Sequence, residues 1–298
     1  MHIGFDIGGT KLAAIGLDDD GQERARYRRP VPRSFDGVVD AIADMVGELT
    51  GAGVHAPGVG VSLPGIITRD GEISMIVNLP WLEGQPLRRA LEGRLGCPVA
   101  LANDANCFAL SEATDGAAAG AEVVFGVILG TGVGGGLVVR GEALVGANAT
   151  AGEWGHNPWP APEGEGVPCA CGRFARGCVE TWLNGAALAR DYAAIGDSQA
   201  SAEEIGARAA AGEAQAADAV ARYAARLAQA LAGVVNLLDP DVIVLGGGLS
   251  EIAALYRLVP DAWGAHASVA RPATRLVRAR FGPESGLRGA ARLVPGTR

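Results

Sequence analysis

Residues 3–17 read Ile3-Gly4-Phe5-Asp6-Ile7-Gly8-Gly9-Thr10-Lys11-Leu12-Ala13-Ala14-Ile15-Gly16-Leu17. Two apolar runs flank a Gly-Gly-Thr-Lys turn, and a single carboxylate, Asp6, interrupts the first run. Such a turn reverses two strands tightly and directs backbone N–H groups and a hydroxyl toward one point. Two readings stand here. One is an ordinary β-hairpin with Asp6 at a strand edge. The other is a phosphate cradle, with Asp6 placed to meet a metal ion or water beside the phosphates.

The remainder of the chain supplies the context. At 298 residues with 49% apolar and 19% charged residues, it can bury a sizeable core and form two lobes. Its 45 glycines are about twice the usual ~7%, and they cluster in Gly8-Gly9, Gly130 to Gly136 and Gly246-Gly247-Gly248 beside apolar runs. Clustered glycine of that kind points to close approach of backbone to a ligand. The net charge of −8 argues against a nucleic-acid partner, which needs concentrated Lys and Arg. No apolar run reaches the ~18 residues of a membrane span and no signal-peptide pattern opens the chain, so a cytoplasmic protein without a membrane partner is expected.

Taken in order, residues 2–7, 12–17 and 22–29 read as strands, and Ser34 caps a helix with apolar Val38, Val39, Ile42, Met45, Val46 and Leu49 at helical spacing. A buried strand (58–62), a helix (87–95), a short strand (99–101) and a helix from 103 to about 118 follow. The pattern then restarts: a strand at 123–129, a Gly-Thr-containing turn through Gly136, and strands at 137–139 and 142–145. A long alanine-rich helix (about 214–238), a strand (241–245) ending in three glycines, a helix (251–259), a strand (274–279) and a closing helix (285–293) complete it. The fold class is α/β, with a duplicated β-β-β-α-β-α core. The expected division is a small lobe at 1–118, completed by 285–298, and a larger lobe at 119–284.

Neither glycine turn is a Walker loop, which needs Gly-x4-Gly-Lys-Ser/Thr. Gly130, Gly132 and Gly135 match the dinucleotide fingerprint, but a strand follows where that site needs a helix. Asn103-Asp104-Ala105-Asn106 sits at a strand-to-helix junction, where Asp104 is either a plain N-cap or a base that accepts a hydroxyl proton in phosphoryl transfer. Glu153, His156 and Glu180 offer acceptors and donors of the kind that hold sugar hydroxyls. His156 also forms a Cys3His set with Cys169, Cys171 and Cys178, a closed structural zinc set that would staple this loop. One ring nitrogen can bind metal while the other meets a hydroxyl.

These stretches together resemble the ROK sugar kinases of the actin/hexokinase-like (ribonuclease H-like) superfamily. The resemblance rests on Asp6-Ile7-Gly8-Gly9-Thr10-Lys11, Asn103-Asp104-Ala105-Asn106, Gly130-Thr131-Gly132, Gly152-Glu153-x-Gly155-His156, the Cys169/Cys171/Cys178-x-Glu180 cluster and Gly246-Gly247-Gly248. It implies ATP-dependent phosphorylation of a hexose 6-hydroxyl, with a structural Zn²⁺, and a homodimer. Carried over, Asp104 is the catalytic base. Pro64, Gly65, Asn78, Asn103, Glu153, His156 and Glu180 surround the sugar. Gly8, Gly9, Thr10, Lys11, Gly130, Thr131, Gly132, Gly246, Gly247 and Gly248 surround ATP, and Asp6 lies near Mg²⁺. A repressor of the same family would carry a helix-turn-helix domain ahead of the Asp-Ile-Gly-Gly-Thr stretch, and here the first strand is expected from residue 2, so the kinase reading is preferred.

One departure concerns the cysteine loop. The family pattern is Cys-x-Cys-Gly-x-x-Gly-Cys, whereas Arg173-Phe174-Ala175-Arg176 puts four residues between Gly172 and Gly177, so the loop must bulge ahead of Cys178. For the sugar, Trp81-Leu82-Glu83-Gly84-Gln85-Pro86, Asp115-Gly116-Ala117-Ala118-Ala119-Gly120 and Glu153-Trp154-Gly155-His156-Asn157-Pro158 look like the proteobacterial fructokinase branch. Asn106-Cys107-Phe108-Ala109-Leu110 and Val133-Gly134-Gly135-Gly136 look like N-acetylglucosamine kinase. The first set favours fructose; the second keeps N-acetylglucosamine as the alternative.

Overall fold

The computed structural model describes residues 1–51, 56–76, 78–160, 166–196 and 199–294, so residues 295–298 of the expected closing segment lie outside the described residues. The opening stretch forms a hairpin of β1 (His2–Ile7) and β2 (Lys11–Leu17), in register from His2↔Leu17 to Ile7↔Leu12. The Gly8 N–H donates to the Lys11 carbonyl at 2.8 Å and closes the turn. β3 (Glu23–Pro30) extends the hairpin antiparallel. Helix α1 (Phe35–Thr50) starts where the Ser34 hydroxyl accepts the Gly37 N–H, and it buries the six apolar positions read from the sequence. β4 (Val59–Leu63) is buried along its whole length, as a strand covered on both faces must be, and runs parallel to β1. A small hairpin of β5 (Ile66–Ile67) and β6 (Ile73–Met75) precedes α2 (Leu87–Leu95), β7 (Val99–Asn103) and α3 (Asp104–Thr114). The first sheet has the order β3-β2-β1-β4-β7.

The second series opens with β8 (Val123–Leu129), β9 (Val133–Val139) and β10 (Glu142–Ala143). A long connection follows, carrying α4 (Val179–Leu183), α5 (Gly185–Ile195), α6 (Ala202–Ala210) and α7 (Ala214–Leu238). Then come β11 (Val242–Gly246), α8 (Leu255–Trp263), β12 (Arg275–Arg278) and α9 (Ser285–Ala291). Its sheet has the order β10-β9-β8-β11-β12. In both sheets the first strand lies between its hairpin partner and a parallel crossover strand, which is the duplicated α/β core expected from the sequence.

Three boundaries differ from the sequence reading by about four residues. The second glycine turn is shorter than expected, because β9 begins at Val133 and Gly134, Gly135 and Gly136 are strand residues. Their missing side chains serve close packing: a Cβ on Gly136 would stand 2.3 Å from the Ala105 carbonyl oxygen, and one on Gly135 2.7 Å from the Trp154 ring. Helix α3 stops at Thr114 rather than near Ala118, because the Glu112 carboxylate takes the Ala117 N–H at 2.8 Å and turns the chain away. After Gly246-Gly247 a single 3-10 turn (Gly248–Glu251) intervenes, so α8 begins at Leu255 instead of Glu251.

The chain divides into two compact units. The first comprises Met1–Ala119, Gly136–Ala151 and Pro283–Arg298; the second comprises Gly120–Gly135 and Gly152–Gly282. Within the first, α9 packs on α3 at a distance only glycine allows: a Cβ on Gly289 would sit 1.7 Å from the Cys107 carbonyl oxygen. The same helix is tied down by buried polar contacts. Arg288 and Arg292 both meet the Asp115 carboxylate at 3.1 and 3.0 Å, and Ser285 donates to the buried Glu112 at 2.7 Å. Within the second, α7 buries an apolar stripe including Val220, Leu227 and Leu231, and its Tyr223 hydroxyl donates to the Leu183 carbonyl at 2.7 Å.

Candidate active site

In the first unit the functional side chains are held by the ends of β1, β4 and β7. Asp6 and Ser62 are register partners on neighbouring parallel strands, and the Ser62 hydroxyl donates to Asp6 Oδ1 at 2.8 Å. Burial pushes the Asp6 carboxyl above its ordinary range, while the Ser62 hydrogen bond and the Arg28 charge oppose the shift. Asn78 lies against the first turn: a Cβ built on Gly9 would stand 3.6 Å from its own. Thr10 and Lys11 are exposed on that turn.

The junction of β7 and α3 decides the cap reading of Asp104. The N-cap is Asn103, whose Oδ1 accepts the Ala105 and Asn106 N–H groups at 2.8 and 3.4 Å. Its Nδ2 donates to the Gly65 carbonyl at 2.9 Å, so both ends of the amide serve the local turn. Asp104 is therefore the first helical residue, half-buried, with Oδ1 accepting the Ala105 N–H at 2.9 Å. The cap reading does not hold for it. Gly65 has φ +106°, and a Cβ there would lie 2.1 Å from the Met75 carbonyl oxygen, so the Pro64-Gly65 corner needs its glycine.

In the second unit, two of the glycine segments line one cavity. Gly130, Thr131, Gly248 and Leu249 share a space of about 550 Å³ with Gly185, Ala186, Ala189 and the start of α6. The turn itself is closed by Gly130 N–H to the Gly132 carbonyl at 3.0 Å, and anchored by Gly185 N–H to the Gly130 carbonyl at 2.8 Å. Gly247, at φ +79°, could carry no side chain, since a Cβ would lie 2.3 Å from the Leu129 carbonyl oxygen. Such a cavity suits a flat ring lying on backbone and small alanines. The contributions of Ala186, Ala189 and Ala202 were invisible in the sequence, because an alanine in a helix carries no chemical signal.

Glu153, His156 and Glu180 cluster beside that turn. The segment Trp154–His156 is a short 3-10 helix held by Trp154, whose Nε1 donates to the Gly134 carbonyl at 3.0 Å and whose ring meets Phe125 edge-on at 5.8 Å. Glu180, on α4, accepts the Val133 N–H at 2.9 Å. The His156 Nε2 lies 3.8 Å from the Glu153 carboxylate, while its buried Nδ1 has no hydrogen-bond partner among the described residues.

His156 also has metal-ligating neighbours. Ligand atoms of His156, Cys171 and Cys178 lie within 4.8 Å of one another, and the Cys169 sulfur is 2.9 Å from that of Cys171. The longer loop does not displace Cys178. Instead the Phe174 carbonyl accepts the Cys169 and Gly177 N–H groups, and the Phe174 N–H donates to the Cys169 sulfur at 3.1 Å. The extra residues fold back on Cys169, with Gly172 and Gly177 at positive φ. The imidazole and the thiols of Cys171 and Cys178 are a donor set that suits a soft metal, with Cys169 beside Cys171 but outside that set.

Comparison with known proteins finds matches along nearly the whole chain. The profile of the ROK family matches residues 2–297. The chain belongs to the ROK family. This ROK protein is 40% identical over 301 residues to N-acetyl-D-glucosamine kinases of Shigella boydii and Escherichia coli K12, with 98% of each chain covered. A ROK hexokinase from Thermus thermophilus superposes with TM-score 0.83 at 35% identity, covering 97% of this ROK chain and 96% of the other. A ROK family glucokinase from Streptomyces griseus, solved with glucose and AMPPNP, gives TM-score 0.75 at 30% identity with 98% of each chain covered. Among the described residues, no helix is long and apolar enough to cross a membrane.

Proposed function

We propose that this ATP-dependent sugar kinase transfers the γ-phosphate to the 6-hydroxyl of N-acetyl-D-glucosamine. The observation that carries the choice of sugar is the 40% identity, end to end, to relatives named for that activity. The expectation of fructose, drawn from segments 81–86, 115–120 and 153–158, becomes the second reading, since those stretches still resemble the fructokinase branch.

In the proposed mechanism, Asp104 accepts the proton of the sugar 6-hydroxyl as that oxygen attacks the γ-phosphorus and ADP leaves with the bridging oxygen. Its position on the first turn of α3, set by the Asn103 cap, keeps the carboxylate on rigid backbone. Glu153, His156 and Glu180 hold sugar hydroxyls, with Asn78, Asn103 and the Pro64-Gly65 corner on the same substrate. The turns Gly8–Lys11 and Gly130–Gly132 present N–H groups to the phosphates, and the 550 Å³ cavity beside Gly248 receives the adenine. Asp6 fits the outer coordination of Mg²⁺, being a carboxylate with one oxygen already fixed by Ser62. When bound, Mg²⁺ neutralises charge on the β- and γ-phosphates. Zn²⁺ would be held by His156, Cys171 and Cys178, with Cys169 beside Cys171, leaving Nε2 of His156 to the sugar side near Glu153.

A coupled ADP-release assay across N-acetyl-D-glucosamine, fructose, mannose and glucose tests the reading. The highest kcat/KM is expected for N-acetyl-D-glucosamine. A higher value for fructose would move the assignment to the second reading, and no turnover on any hexose would refute both.

A further inference from the structure

Ser62 has no place in the site as read from the sequence, yet it makes a hydrogen bond to one of that site's carboxylates. It is fully buried on β4, and its hydroxyl donates to Asp6 Oδ1 at 2.8 Å from the neighbouring strand. Beside it stands the fully buried Cys107 of α3. A hydroxyl has one proton to give, and here it goes to Asp6. On the remaining side a Cβ on Gly286 of α9 would lie 3.9 Å from both Ser62 Oγ and the Asp104 carbonyl oxygen. The Ser62–Asp6 pair is set on β1 and β4, against which α3 and α9 pack.

We infer that Ser62 is a positioning residue for Asp6, its hydroxyl committing Oδ1 and fixing the carboxylate rotamer so that the second oxygen meets hydrated Mg²⁺. A carboxylate on a buried strand has two rotatable bonds, and one directed hydrogen bond removes most of that freedom. The inference deepens the proposed function and rests on the reading of Asp6 as the carboxylate that organises Mg²⁺.

The test is calorimetric and uses the full chain. Affinity for AMPPNP is measured with and without Mg²⁺ in wild type, Ser62→Ala, Ser62→Thr and Asp6→Asn, together with sugar affinity and Tm. Loss of a hydrogen bond to a charged group predicts that Ser62→Ala loses about tenfold of the Mg²⁺-dependent gain in affinity. Metal-free AMPPNP and sugar affinities are expected to stay within about twofold, and Ser62→Thr, which keeps the donor, to regain most of the loss. If Asp6→Asn abolishes the Mg²⁺-dependent gain while Ser62→Ala leaves it intact, the positioning role is refuted and the Asp6 reading stands. Equal losses with and without metal in Ser62→Ala would show a general structural role and also refute it. An Asp6→Asn variant with undiminished Mg²⁺ dependence would remove the Asp6 reading and this inference with it.

Discussion

The Glu180 carboxylate accepts the Val133 N–H at 2.9 Å, which ties the helix after the cysteine loop to the first residue of the strand after the glycine turn. One side chain thereby links two segments that the sequence places 47 residues apart. The contact also accounts for Gly132, where a Cβ would come within 2.7 Å of the same oxygen. Glu180→Gln keeps an acceptor for Val133, whereas Glu180→Ala leaves that N–H without one. Sugar KM is therefore expected to rise in both variants, about tenfold or more for the alanine, with a further drop in kcat only for the alanine. Steady-state kinetics on the preferred hexose measures the split, and equal kcat losses would show that the charge matters more than the contact.

Asp104 and Asn103 are adjacent but have separable duties. Asp104→Asn is expected to lower kcat by about 10²–10⁴ with sugar affinity retained, as for loss of a general base. Asn103→Ala removes the cap of α3 and is expected to cost about 1 kcal/mol of stability. Thermal melts and fluorescence titration with sugar separate the two. Retention of more than a tenth of wild-type turnover by Asp104→Asn would exclude it as the base.

Metal analysis of purified protein should find about one zinc per chain. Removal with a strong chelator is expected to lower Tm and raise sugar KM together, because His156 belongs to both the cysteine cluster and the Glu153 side. Cys171→Ser should reproduce both effects. A protein isolated without metal and unaffected by chelator would contradict the assignment.

Asp6 carries a stability cost with a definite sign. Its native pKa is raised above the ordinary 3.8 chiefly by burial, so the protonated form favours folding. That contribution is full below the unfolded value and is lost as pH rises through the native value. At neutral pH the ionised carboxylate therefore opposes folding, and Asp6→Asn is expected to melt higher than wild type. The advantage should shrink as pH falls through the native value and vanish below the ordinary 3.8, where wild-type Asp6 is neutral in both states. Melting curves of the two proteins across pH 3–8 measure the difference.

Two glycine substitutions should move stability in opposite directions. Gly289→Ala would place a Cβ 1.7 Å from the Cys107 carbonyl oxygen, forcing α9 off α3 at a cost of about 3 kcal/mol or loss of folding. Gly233→Ala, exposed on α7 with no atom within 4 Å of the added Cβ, should stabilise by up to about 1 kcal/mol. Denaturant melts compare both with wild type.

Much of the fold is local and could be read directly. The first hairpin follows from its glycine turn, and α1 follows from the Ser34 cap and its apolar spacing. The start of β9 was misread because glycine has no strand preference of its own. Only contacts with Ala105 and Trp154, distant in sequence, explain why three consecutive glycines extend a strand. Asp104 shows the same limit in the site. The dipeptide Asn103-Asp104 contains two good caps, and the Gly65 carbonyl, which engages the Asn103 amide, belongs to a segment 38 residues earlier.

The amino-acid sequence by itself determined the alternation of strands and helices, the glycine turns, the cysteine and histidine donors and the carboxylates available for chemistry. These depend on backbone preferences, spacing and side-chain type. Tertiary structure decided which of those groups share an environment. It gave Asp6 its buried partner Ser62, brought His156 together with Cys171 and Cys178, and set alanines of two helices around the cavity at Gly248. Each is a relation between segments far apart in the chain, created by sheet register and helix packing.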